Sequence, residues 1–289
     1  MTSIQKEYFL GTIDGLEIND QIKISEEDYS FCLKVLNDFS ELIENENLFK
    51  VVELNYEDFK SKISEYKVKI PELLQHNSHD LNMLQININR LILNLLSAIR
   101  TFLDHKETYL KRKFGKNSNE LLLFEQEKGG AFDNNFEYRF ISKARNYAQH
   151  CGLPIGPPEV KSFQDENNDV QNEINIFFER EVLLSKFDWG NVVRKDLEAQ
   201  TEKFNSLPVI HKVYELLILI DKNINEQILE NYKFEGNMLV NLIAKTVGSK
   251  GLPCLLKSEG EETITFTIKW FPLHHIAKVT GAQINIVYE

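Results

Sequence analysis

The chain contains no run of about 18 or more apolar residues, so no membrane-spanning helix is expected. Its opening, MTSIQKEYFLGTIDG, lacks a basic segment followed by an apolar one and does not read as a secretory signal. Cysteine is scarce. Cys32, Cys151 and Cys254 are far apart, form no CxxC pair and no zinc spacing, and their odd number argues against a disulfide framework. A reducing cytoplasm is the compartment this suggests. Positive charge is short as well: 33 Lys and Arg stand against 44 Asp and Glu, a net charge of −11. A protein this acidic is not a general nucleic-acid coat, because phosphate is repelled at long range. GxGxxG, GxxxxGK[ST] and HExxH are all missing, so neither a nucleotide cofactor nor a zincin site has support, and no cofactor or metal is expected.

What is present is an ordinary globular composition over 289 residues, 42% hydrophobic and 27% charged, enough for one large domain or two smaller ones. The charge is uneven. Residues 17–66 carry 13 acidic and 5 basic side chains, whereas KETYLKRKFGK (106–116) carries 5 basic and 1 acidic. YRFISKARNYAQH (138–150) has Arg139, Lys143, Arg145 and His150 and no acid. A polyanion would therefore meet the middle of the chain, although either basic run can also be a solvated helix face.

The hydrophobic pattern predicts a mainly α protein, a helical bundle with small peripheral β elements, α+β overall. Short alternations around DG and ND near the start suit a hairpin. Ser25 is a good N-cap for a helix over SEEDYSFCLKVLNDFSELIEN, LFKVVEL reads as a strand, and NYEDFKSKISEYK as a short helix. Ser78–Lys113 is the strongest signal. It has no Gly or Pro, and Leu84, Ile88, Ile92, Leu95, Ile99 and Phe102 share one face. Gly115 is its expected stop. A short helix ending at Gly129-Gly130 follows, then one capped by Asp133 or Asn134 and closed by Gly152 and Pro154. GPPEVKSFQDENNDVQN reads as a polar loop and EINIFFER as a strand. WGNVVRKDLEAQTEKFNS and LPVIHKVYELLILIDKNINEQILENY read as helices, and ETITFTIKWFPL and AQINIVYE as strands. The expected regions are 1–75 (mixed α/β), 76–230 (helical bundle) and 231–289 (containing β).

On the helix that holds RNYAQH, 100° per residue separates the polar groups. With Phe140 at zero, Asn146, Arg139, His150 and Lys143 fall at about 240–300°, one strip beside the apolar stripe. Arg145 stands at about 140°, on the other flank. The residue types suit RNA cleavage by the neighbouring 2′-hydroxyl. Histidine moves protons in both directions near neutrality, arginine holds phosphate through a fixed charged fork, and asparagine orients. One histidine is awkward as both base and acid, so the chemistry points to two copies meeting along this face. Arg-x4-His is short, and taken alone it reads more readily as a solvated helix flank.

A long helix followed by a second helix bearing R-N-x-x-x-H resembles the HEPN superfamily. Its signature is Arg, commonly a polar residue, and His with four to six residues between the Arg and the His. Arg145, Asn146 and His150 match it position for position. The likeness covers about residues 78–154, with the helices of 189–230 as candidates to complete a four-helix bundle. It implies a homodimer through the motif helix and a metal-independent endoribonuclease, of the kind found among toxins and anti-phage effectors. Arg145, Asn146 and His150 would be catalytic, and RNA the substrate. Arg139, Lys143, Lys111, Arg112 and Lys113 would form a phosphate track, and an antitoxin or regulatory protein is an implied partner. Other members of the superfamily have lost catalysis and serve as binding modules, so a dimeric module that binds protein or RNA is the alternative.

Other constellations carry less. His76, His79 and Asp80 open the long helix and suit cap chemistry rather than a metal. His105 lies beside its polar face, and Asp104 is a candidate to orient a catalytic side chain. His274 and His275 have no visible carboxylate partner, and Cys151 falls on the apolar stripe as a buried thiol.

Overall fold

A computed structural model describes residues 6–75, 78–164, 166–167, 170–260 and 265–283. The chain opens with the expected hairpin, β1 (Lys6–Asp14) and β2 (Glu17–Ile24), turning at Gly15, whose φ of 60° suits glycine. Ser25 caps the next helix as expected: its Oγ accepts from the Asp28 backbone N–H at 3.0 Å, and Glu26, Glu27 and Asp28 oppose the helix dipole. That helix, α1 (Glu26–Gln75), runs 50 residues without a break. The strand expected at LFKVVEL is helix. Phe39, Leu42, Phe49, Val52, Tyr56, Phe59 and Ile63 bury one continuous face, and this periodicity overrides the local β preference of Val51-Val52.

The long helix α2 (Ser78–Lys113) has its expected bounds, and Gly115 follows at φ 102°. Next comes α3 (Asn119–Asn134), capped by Ser118 Oγ, which accepts from the Leu121 N–H. It passes through Gly129-Gly130 rather than stopping there. Neither glycine takes a positive φ, and Ala131 continues the face that buries Leu121 and Phe124. The motif helix α4 (Phe136–His150) starts after Asn135, one or two residues later than the expected cap. The segment read as a polar loop instead forms a hairpin, β3 (Glu159–Gln164) with β4 (Val170–Asn175). EINIFFER contributes the end of β4 and then β5 (Phe177–Glu179). There follow α5 (Arg180–Lys186), α6 (Gly190–Glu198), β6 (Lys203–Asn205), α7 (Ser206–Asn231), α8 (Lys233–Ile243), β7 (Leu252–Glu259), β8 (Thr265–Trp270) and α9 (Leu273–Thr280). Of the terminal strand expected at AQINIVYE, residues 284–289 lie outside the described residues, as do His76 and the side chains of His79 and Asp80.

The chain divides into two compact units, 1–46 with 225–289, and 47–224. The first holds an antiparallel sheet in the order β2-β1-β7-β8, so the two chain ends that were read as separate regions share one sheet. On one face Ile13, Cys254 and Leu256 are buried beneath Phe9, Ile18 and Phe266. Tyr8 lies against Tyr29 of α1, with ring centroids 4.6 Å apart, and Phe39 meets Tyr232 edge-on.

The second unit is helical, with the β3–β4 and β5–β6 ribbons attached. The Phe49 and Phe102 rings join α1 to α2. The Tyr56 hydroxyl and His211 Nδ1, 2.7 Å apart, join α1 to α7. Lys106 of α2 and Asp221 of α7 form an ion pair at 3.0 Å, with the lysine fully buried. The α4 helix packs against α2, α3 and α6. Thus α1 and α7 both pack with α2 in this unit. The fold is mainly α with small antiparallel sheets. No helix among the described residues is long and apolar enough to cross a membrane.

Candidate active site on the fourth helix

Aromatic packing fixes the buried face of α4. Phe140 is fully buried. Its ring lies 4.9 Å from Phe178, 5.3 Å from Trp189 and 5.7 Å from Phe204, and Tyr147 stacks on Trp189 at 5.6 Å. Contacts of this density hold the helix in one rotational setting. The uneven spacing of the polar residues around α4 is therefore retained in three dimensions.

The first half of the polar strip is spent on the fold. Arg139 Nε donates to Asp196 Oδ2 at 2.7 Å and Nη2 to Oδ1 at 3.3 Å, a bidentate pair with α6. Its Nη1 donates to the carbonyls of Phe132 and Asp133 at 2.6 and 2.9 Å, closing the α3–α4 turn. Lys143 Nζ donates to the Trp189 carbonyl at 2.5 Å, where α6 begins. The two cations expected to extend a phosphate track thus anchor α6 to α4. At the end of α2, Lys111 is bound to Glu107, which also accepts from Lys128 at 2.6 Å. Those hydrogen bonds hold the Glu107 carboxyl well below its usual range, at about 2. Arg112 is exposed and Lys113 half-buried.

The second half is different. Asn146 and His150 are exposed, and Arg145 is half-buried. The Arg145 Nε is buried and has no hydrogen-bond partner among the described residues. It lies on the flank of α4 that carries the buried Tyr138 and Ile141. Burial pushes the Tyr138 phenol up to about 12, with the charge of Arg100 on α2 acting in the opposite direction. Asn146 and His150 are one turn apart and lie about 100–140° round the helix from Arg145, so the helical spacing puts those two side by side and Arg145 on the other flank.

His150 is the last residue of α4, and Cys151 caps the helix by donating its backbone N–H to the Tyr147 carbonyl at 2.8 Å. Cys151 is half-buried rather than buried as expected. Gly152 then takes φ 145°, and Ile155 is buried. Sequence reasoning passed over what holds this turn. Asn89 of α2, itself 1% exposed, donates to the Ile155 carbonyl and accepts from the Ile155 N–H, each at 3.1 Å. The available signal was a carboxamide at the edge of the apolar stripe of α2, about 100° from Ile88.

Asp104 pairs with Arg100 at 2.7 Å on an exposed face. His275, read as having no carboxylate partner, lies 3.2 Å from Glu46. No cluster of three or more His, Cys, Asp or Glu side chains that could hold a metal exists among the described residues. Comparisons with protein-family models, with curated proteins and with solved structures find no match.

Proposed function

We propose that the chain is a metal-independent endoribonuclease that acts as a homodimer in the cytoplasm, a toxin or anti-phage effector in biological role. The observation that carries this reading is the division of labour along α4. Arg139 and Lys143 are consumed by α6, whereas the side chains of Arg145, Asn146 and His150 make no hydrogen bond or ion pair among the described residues. A buried guanidinium N–H without an acceptor costs about 1–3 kcal/mol, a cost that a bound phosphate oxygen would remove.

In the proposed reaction, the imidazole of His150 takes the proton of the RNA 2′-hydroxyl. The 2′-oxygen attacks phosphorus, and the bond to the 5′-oxygen breaks. The second copy's His150 protonates that leaving oxygen, which gives a 2′,3′-cyclic phosphate and a 5′-hydroxyl. Arg145 carries the extra charge on the five-coordinate phosphorus, and Asn146 orients the imidazole or the hydroxyl. With Arg139, Lys143 and Lys111 engaged, Arg112 remains as the cation for a flanking phosphate. Purified protein should cut RNA in EDTA, and His150→Ala should abolish cutting. Equal cutting by that variant would remove the assignment.

A second reading follows from the same engaged cations and the net charge of −11: a dimeric module that binds a partner protein without cleaving RNA. An antitoxin or regulatory protein would be that partner. This reading predicts no cleavage by wild type and unchanged partner binding by His150→Ala.

A further inference from the structure

We infer that Asn89 is a positioning residue for His150, acting through the backbone of Ile155; the inference rests on the ribonuclease reading. His150 occupies the terminal position of α4, where helices fray because the last carbonyls lack intrahelical partners. A proton-transfer group placed there needs support from beyond the helix. The chain supplies it five residues on.

The Asn89 carboxamide makes three hydrogen bonds. Its Nδ2 donates to the Ile155 carbonyl at 3.1 Å and to the Gln85 carbonyl at 3.0 Å, and its Oδ1 accepts from the Ile155 N–H at 3.1 Å. Gln85 Nε2, one turn earlier on α2, donates to the same Ile155 carbonyl at 3.2 Å. The side chain thus pairs with both polar groups of one residue, as a neighbouring strand would. On its other side Ile155 bridges to Phe178 of β5. Both Asn89 and Ile155 are 1% exposed, so water does not compete for these bonds. Only four residues separate His150 from this anchor, and they include Gly152 at positive φ and Pro154. The clamp therefore ties the end of the motif helix to α2, which also packs against α4.

The chemistry of the amide gives a specific test. Asn89→Leu removes both Asn89 bonds to Ile155 and leaves only the Gln85 bond to its carbonyl. Asn89→Asp keeps the shape and the acceptor, but when ionised it sets a carboxylate against the Ile155 carbonyl. When protonated it restores a donor and an acceptor in the original geometry. In Asn89→Leu, kcat on RNA should fall about 10–100-fold with KM within about twofold, because only the placement of the proton-transfer group is lost. In Asn89→Asp, cleavage should fall as pH rises through the new carboxyl titration, a step absent from wild type. Amide hydrogen exchange of residues 148–151 should lose protection in step with it. Trp189 fluorescence, which reports the packed side of α4, should remain as in wild type in both variants. Wild-type kcat together with full protection at 148–151 in Asn89→Leu would overturn the inference. The exchange measurement needs no RNA. If wild type cuts nothing, the ribonuclease reading fails, and with it the catalytic role of Asn89, while protection in the variants still decides whether the clamp exists.

Discussion

Replacing Arg139 with alanine separates a structural cation from a substrate-binding one. Its guanidinium makes two contacts with Asp196 and two with backbone carbonyls, and the two side chains are 13% and 23% exposed. An exposed ion pair contributes about 0–1 kcal/mol, whereas breaking a fully buried one costs about 3–5. The exposures lie closer to the buried limit, and water can partly solvate Asp196 after truncation, so the expected loss is about 2–4 kcal/mol. For a unit of this size that corresponds to a fall in Tm of roughly 5–15 °C. Arg139→Lys keeps the charge but not the fork and should lose about half as much. Because Arg139 and Asp196 act as a pair, the double alanine variant should cost less than the sum of the singles by more than about 1 kcal/mol. Trp189 is the natural reporter. It is 1% exposed and packs on α4, whereas the other tryptophan, Trp270, is 50% exposed in the other unit. Denaturation should be followed by the red shift of the buried indole. An Arg139→Ala variant as stable as wild type that had lost RNA binding would return this arginine to the phosphate track and refute the division of labour on α4.

Three further outcomes follow from the packing. Lys106→Met leaves Asp221 buried without its cation and should cost about 3–5 kcal/mol in denaturant unfolding, with Lys106→Met/Asp221→Asn recovering part of the loss. The folded-state pKa of Glu107 is depressed to about 2, so its contribution is present above the ordinary carboxyl range and lost as pH falls from about 4.5 towards 2. Glu107→Gln should therefore be about 1–2 kcal/mol less stable than wild type at pH 7, and the gap should close in that acid window; a gap independent of pH would contradict the pairing. Gly251→Ala would set a Cβ 2.4 Å from the Ile13 carbonyl oxygen at φ 100°, so the first unit should lose at least about 2 kcal/mol, while Trp189 reports an unchanged second unit.

The residues also mark where the sequence was legible. Ser78–Lys113 could be bounded because nothing in it breaks a helix and its apolar residues keep one period. LFKVVEL misled because two adjacent valines favour a strand locally, and only the burial of Phe49 and Val52 in register with residues far along α1 decides the outcome. The N-terminal hairpin was readable from its turn. Its pairing with β7 was not, because Gly11 meets Cys254 across a long-range register that no local pattern encodes. The same limit applies to the site. The separation of Arg145 from Asn146 and His150 follows from helical geometry. The engagement of Arg139 and Lys143 depends on Asp196 and Trp189, 57 and 46 residues away.

The most direct test is to incubate the purified chain with total RNA in EDTA and map the new ends. Wild type should yield 2′,3′-cyclic phosphates and 5′-hydroxyls, and His150→Ala and Arg145→Ala should yield none. RNA left intact by wild type, or cut equally by His150→Ala, would contradict the account.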